Sequence, residues 1–377
     1  MKSLSPALVS AVLLAVLFFA AACPRQGKPA APPDASGAAA PVPTRNEKLE
    51  TRNSGGAAAT TFTNPIAAGA DPWVIRHNGK YYWTLTDTPR GIAIWCSDSP
   101  AAPGTRKVVW HAPKKGPRSR EIWAPELHHL DGRWYIYAAA DNGNNATHRM
   151  IVLQSATDDP LSAYTYKATL YTGDHIDTQE QNRWAVDGTV FTHDGKRYFI
   201  WSGWEDDRDR QYLYIAPMSN PWTISGNRVR LCADDDYPWE RLADSPQCYG
   251  LNEAPEILRR GDRVFLVYSA SGSWQTTYKM GLLELTGPDP LAPGAWRKHP
   301  APVFAPTQTT FGVGHASFTK SPDGTQDWII YHAKQDRKDG WGRVIHAQPF
   351  TWTKDGFPDF GTPVAADKPL PLPSDKR

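Results

Sequence analysis

The chain has 377 residues, with 41 basic against 39 acidic side chains and a formal net charge of +2. No concentrated basic patch accompanies that balance, so a nucleic-acid partner is not expected. The 16 Trp, 15 Tyr, 12 Phe, 34 Pro and 29 Gly fit one large all-β domain or two smaller ones, and the aromatics suit a packed β core and a carbohydrate-binding surface equally well.

In chain order, residues 1–22 read as an export signal: Met1 and Lys2 precede an apolar run from Ala7 to Ala22, too short for a membrane span. Cys23 follows three alanines, as in a bacterial lipoprotein signal, although Ala20 stands where leucine is usual. Membrane attachment through a lipidated Cys23 competes with ordinary cleavage after Ala22. Either way the protein is exported, as a periplasmic or outer-membrane-anchored lipoprotein or as a secreted protein. Residues 23–60 are rich in Pro, Ala and Gly and cannot build a core, so they read as a tether. The folded domain is expected over residues 61–377.

Five segments then share one pattern: DPWVIRHNGKYYWTLT (71–86), APELHHLDGRWYIYAA (124–139), DGTVFTHDGKRYFIWSG (187–203), EAPEILRRGDRVFLVYSA (253–270) and HASFTKSPDGTQDWIIYHA (315–333). Each is a short strand, a tight turn and an aromatic-rich strand, and NG and DG are strong hairpin signals. Another strand-like run follows each hairpin. The segments start 53, 63, 66 and 62 residues apart. Repeats of this size with about four short strands predict a five-bladed β-propeller. A β-sandwich explains the alternation but not five copies of one hairpin.

Aligned on their turns, Asp71 stands seven residues before Asn78–Gly79, Asp187 seven before Asp194–Gly195, and Glu253 seven before Arg260–Gly261. His315 stands eight before Asp323–Gly324, and the second segment has Ala124 at this position. Innermost strands line a propeller's axis, so equivalent positions converge there. Three acids gathered in a partly dry cavity carry a large electrostatic cost that structure alone gives little reason to accept. Glu126 and Glu256 each follow Ala-Pro and read as local backbone tethers, with a rim contact the functional alternative for Glu126. The WEDDRDR run (204–210) lies outside the shared register and reads as a solvated loop. Cys232 and Cys248 are the plausible disulfide pair of an oxidising compartment, and Cys96 reads as a small core side chain. No Cys/His spacing argues for zinc.

The motifs ADPWVIRHNGKYY, WAPELHHLDGRWYIYAA, WAVDGTVF, NEAPEIL, GVGHASFTKSPDGTQDWIIYHA and GRVIHAQPFTW together resemble glycoside hydrolase family 43 over about residues 61–362. Within it, YIAPMSNPWTISG and LVYSASGSW are most similar to exported exo-α-1,5-L-arabinofuranosidases, whose substrate is arabinan or arabino-oligosaccharide. Other members act on β-xylosides or cut arabinan internally. The resemblance implies an inverting hydrolase with Asp71 as general base, Glu253 as general acid and Asp187 as the third acid, which tunes and orients Glu253. It implies substrate contacts for Arg343 and His315, and a hydrated structural cation, usually calcium, on His315. From first principles one nitrogen ligand makes a weak calcium site. Trp73, Trp123 and Trp201 stand beside recurrent motif positions and are expected as sugar-packing walls. No organic cofactor is expected. GVGHASF departs from the commoner GPGHNSF at Val313 and Ala316, which bears on substrate preference and leaves the acids untouched.

Overall fold

The computed structural model describes residues 60–375, apart from 89, 207–209 and 244–248. The expected signal, the tether and Cys23 lie outside the described residues. Among those described there are strands and two short 3-10 turns but no α-helix, and no helix is long and apolar enough to cross a membrane.

The hairpin repeat builds five antiparallel sheets in chain order. The innermost strands of blades I to V are Ala70–His77, Arg120–Leu130, Ala185–His193, Asn252–Arg260 and Gly314–Lys320. Each packs beside the innermost strands of both neighbouring blades, with blade V returning to blade I. The molecule is therefore the expected five-bladed β-propeller. Turn chemistry explains the hairpins: Asn78–Gly79, Asp131–Gly132 and Asp194–Gly195 all take positive φ at both residues, the type I′ geometry that matches the twist of the flanking strands.

Blade IV differs. Its strands end at Arg260 and resume at Arg263, so its turn is Gly261–Asp262. The expected Arg260–Gly261 turn is thus displaced by one residue, which matters for the register of Glu253.

The core lies between blades. Five apolar clusters fill the five gaps, among them Trp134 between blades I and II, Trp201 between II and III, and Trp83 and Trp328 between V and I. Burying an aromatic side chain of this size contributes about 2–3 kcal/mol, so the abundant Trp and Tyr serve largely as packing. The ring is closed by the N-terminal chain. Ala67–Ala68 adds an outer strand to blade V beside Ile345 and Val344, and the Asn64 side-chain amide makes paired hydrogen bonds to Ala347 N (2.9 Å) and O (3.0 Å).

Cys232 is a buried free thiol, 3.3 Å from Asn252 Oδ1. The expected bridge to Cys248 is therefore not made at this end, because Cys232 faces inward from the outer strand of blade III; Cys248 lies outside the described residues. Cys96 is a free thiol but only half-buried.

Candidate active site

Every innermost strand carries a β-bulge at the same place. Pairing with the second strand is interrupted after Ala70, Trp123, Val186, Glu253 and Gly314. The next residue in each case is left-handed: Asp71 (φ 54°), Ala124 (44°), Asp187 (54°), Ala254 (52°) and His315 (49°). A non-glycine residue in this region costs on the order of 1 kcal/mol or more. Five copies amount to a built device that breaks the ladder at one level and turns a side chain out of the sheet.

The bulges are also stitched to one another around the axis. The N–H of Ala124 donates to Thr86 Oγ1 (2.8 Å), that of Ala254 to Asp187 Oδ2 (3.1 Å), that of His315 to Ser269 Oγ (2.8 Å) and that of Asp71 to His332 Nδ1 (3.2 Å). In each case the acceptor belongs to the preceding blade, so four bulge N–H groups that the ladder abandons are satisfied across a blade boundary. The register corrects one expectation: the bulge residue of blade IV is Ala254, and Glu253 stands one place upstream, opposite Ser269. Glu253 still reaches the site, because Asp187 holds the N–H of the next residue.

Asp71, Asp187, Glu253 and His315 are all buried at 5–8% exposure. Asp71 Oδ1 accepts from Arg343 Nη1 at 2.9 Å and lies 3.2 Å from Nδ1 of both His315 and His332. Burial opposes its charge, but Arg343 and then His315 outweigh burial and hold the carboxyl well below the usual range. His315 is driven the other way. Burial disfavours its cation, yet the charges of Asp71, Asp187 and Glu253 raise it to about 9, so one imidazolium faces all three acids. His332 is pushed down to about 3, chiefly by burial. Its neutral ring accepts the Asp71 N–H, and its Nε2 has no hydrogen-bond partner.

Glu253 is held differently, by neutral donors. Tyr278 donates its hydroxyl to Oε1 (2.9 Å), and Gln211 donates Nε2 to Oε2 (3.2 Å). Two carboxylates therefore occupy one site in contrasting company: Asp71 in a cationic cage, Glu253 between a phenol and an amide. The arrangement can keep one group ionised to take a proton while the other passes one between oxygens.

Two residues beyond the bulges of blades II and IV, Glu126 and Glu256 form a further buried acidic pair. They are not backbone tethers. Glu126 meets His128 Nε2 at 2.9 Å, and Glu256 Oε2 has no partner. Burial pushes both carboxyls up, Glu256 well above the usual range with help from the charge of Glu126.

The aromatic expectations fare unevenly. Trp201 is fully buried between blades II and III and cannot touch a sugar; its strand position faces the neighbouring blade, not the axis. Trp73 is half-buried and braces blades I and II, with Nε1 donating to Leu127 O (2.9 Å) and the ring beside His128 (4.6 Å). Trp123 is half-buried and stacks on His148 at 4.0 Å.

One atom each from Asp71, His315 and His332 lies within 4.8 Å of the others, close enough to share an ion. The donors do not suit calcium, which takes six to eight oxygens. Here two of the three are imidazole nitrogens, and the single carboxylate oxygen is already engaged by Arg343.

His332, Tyr278 and Gln211 were missed by sequence reasoning. For His332 a signal exists: it occupies the second-strand position shared by Thr86, Ser202 and Ser269, polar in four blades of five. Gln211 and Tyr278 stand outside the two-strand hairpin but at one shared place, each two residues before the third-strand partner of its blade's serine, Leu213 opposite Ser202 and Met280 opposite Ser269.

A family model, glycosyl hydrolases family 43, matches residues 62–358. The chain is 36% identical to alpha-L-arabinofuranosidase 43 of Humicola insolens, covering 83% of this chain and 66% of that one, so it spans just under two thirds of that relative's length. It is 36% identical to an extracellular exo-alpha-(1->5)-L-arabinofuranosidase of Streptomyces chartreusis, covering 73% of this chain and 83% of the relative. The crystal structure of an alpha-L-arabinofuranosidase from Lactobacillus brevis superimposes with a TM-score of 0.73 at 32% identity, over 81% of this chain and 98% of that one.

Proposed function

The chain belongs to glycosyl hydrolase family 43, and from that premise we propose that it releases terminal L-arabinose from α-1,5-linked arabinan or arabino-oligosaccharides in one inverting displacement. Asp71 is the general base: it takes a proton from water as the water oxygen bonds to the anomeric carbon. Glu253 is the general acid: it gives its proton to the glycosidic oxygen as the bond between that oxygen and the anomeric carbon breaks. Asp187 fixes the backbone beside Glu253 through the Ala254 N–H and places a negative charge near it. Arg343 and His315 hold Asp71, and the same reading gives them contacts to the sugar hydroxyls.

The observation that carries this reading is the unlike company of the two carboxylates. A base that must be ionised sits against Arg343 and His315. An acid that must carry a proton and release it takes both its hydrogen bonds from neutral donors. Acid–base chemistry of this type needs its two groups set apart in this manner. The calcium ion expected on His315 is not carried forward, and no step runs through an ion. Export, with residues 1–22 as signal, 23–60 as tether and Cys23 as an attachment point, remains part of the reading, as does a catalytic domain over residues 61–377.

Digestion of linear α-1,5-arabinan tests it. Arabinose as the sole early product, released first as the inverted anomer, is expected. A ladder of oligomers would make the enzyme an internal cutter, and xylose release from β-xylosides without action on arabinan would overturn the substrate.

A further inference from the structure

The residues around Glu253 hold more than the acid itself requires. Tyr278 is fully buried, yet its hydroxyl is spent on Glu253 Oε1 at 2.9 Å. Its ring is held closely by two neighbours. It stacks on His332 with centroids 5.4 Å apart and planes 16° from parallel. It also lies against Gly314, where an added Cβ would fall 2.3 Å from Tyr278 Cε1. Gln211, 1% exposed, divides its amide between Glu253 Oε2 (3.2 Å) and Ser202 Oγ (3.0 Å). Ser202 in turn donates to the carbonyl of Asn252 at 2.8 Å. One connected set of groups thus places both the backbone before Glu253 and the two oxygens of its carboxyl.

We propose that Tyr278 and Gln211 are positioning residues for the general acid, a rigid two-donor clamp that receives the carboxylate of Glu253 as its proton departs. The inference rests on the hydrolytic reading above and deepens it. Each carboxyl oxygen has two lone pairs, so both donors stay in place while one oxygen also carries the proton. When that proton passes to the leaving oxygen, Glu253 becomes an anion inside a dry site. Two preorganised donors then meet charge that develops only along the reaction, where fixed dipoles count most. Burial first, and then the charge of Glu253, push the Tyr278 phenol well above its usual value, so it stays a donor at working pH.

The clamp matters in proportion to the proton the leaving group needs, which separates it from a packing role. Tyr278→Phe keeps the ring and removes the donor. On an arabino-oligosaccharide, whose leaving sugar must be protonated, kcat should fall about ten-fold or more, as for a lost hydrogen bond to a charged group. On 2,4-dinitrophenyl α-L-arabinofuranoside, whose leaving group departs as an anion, kcat should stay within about two-fold. The alkaline limb of kcat/KM should move up by roughly one pH unit, because a lost donor to the charged form favours the protonated one. Gln211→Met should show the same selectivity, more weakly. Equal losses on both substrates, no loss on either, or an unmoved alkaline limb would overturn the clamp. A parent enzyme that turns over neither substrate would overturn the hydrolytic reading and the clamp with it, whereas an active parent with an indifferent Tyr278→Phe sinks the clamp alone.

Discussion

Arg343 makes one contact with large consequences: its guanidinium sits 2.9 Å from the Asp71 carboxylate. It stabilises the ionised carboxylate, so Arg343→Gln should raise the proton affinity of Asp71. As the proposed general base Asp71 must be ionised to act, and the acid limb of the kcat/KM profile should therefore move to higher pH, by about one unit or more. An unmoved limb would remove Arg343 from the electrostatics of the base. Trp201 gives the opposite kind of test. It is buried among Phe199, Tyr214 and other side chains of its cluster, so Trp201→Ala should cost about 3–5 kcal/mol of stability. KM of the fraction that stays folded should be unchanged, as judged by thermal unfolding beside kinetics at low temperature. At this scale the sequence was legible where side chains share a turn-anchored register: Asp71, Asp187 and His315 all stand on the bulge that counting from the turn locates. It was harder to read for Tyr278 and Gln211: they share one place at the start of the third strand-like run of blades IV and III, but that run lies outside the hairpin on which the segments align, and a tyrosine and a glutamine have no residue type in common. Trp201 misled because adjacency to a motif says nothing about which side of a strand a residue takes.

The bulged hairpin is the element that converts sequence spacing into a site. Its turn chemistry was readable in blades I and III, where NG and DG fix two left-handed residues. In blade IV, RGD offered two framings one residue apart, and a one-residue slip exchanges the faces of a strand. The structure adopts Gly261–Asp262, so Glu253 precedes the bulge instead of occupying it. No spacing argument could reveal that Asp187 reaches across to the Ala254 N–H and restores Glu253 to the site. The left-handed backbone itself can be tested away from the chemistry. Ala124 carries the same φ with no reactive side chain. Ala124→Gly should relieve steric strain of about 1 kcal/mol and raise the melting temperature by roughly 2 °C or more. A lower melting temperature would count against strain at the bulge.

Across the whole molecule, the five-fold repeat leaves acidic groups stacked along one axis: the active-site carboxylates at one level and Glu126 with Glu256 two residues beyond. The lower pair bears on stability. Both carboxyls are raised, so the folded state binds more protons than the unfolded chain. Their favourable contribution is complete below the ordinary carboxylate range, about pH 4, and is lost as pH rises through the folded values. Glu256→Gln removes the share of that dependence that belongs to Glu256, the more strongly raised of the two. Its melting temperature should exceed the parent's by a margin that widens from pH 5 to pH 8, on the order of a few degrees at the upper end. A margin constant with pH would show that the pair does not titrate with folding.

The seam between the first and last blades has a mechanical consequence. Blade V takes an outer strand from Ala67–Ala68, beside the short Pro358–Asp359 strand, and Asn64 grips Ala347 across an interval of 283 residues. During synthesis the circle stays open until the final blade emerges, so all five blades must be made before the axis exists. Any tug arriving from the preceding chain meets the short pairing of Thr61–Phe62 with Leu370–Pro371 first and this clasp next, and so loads the joint that closes the ring.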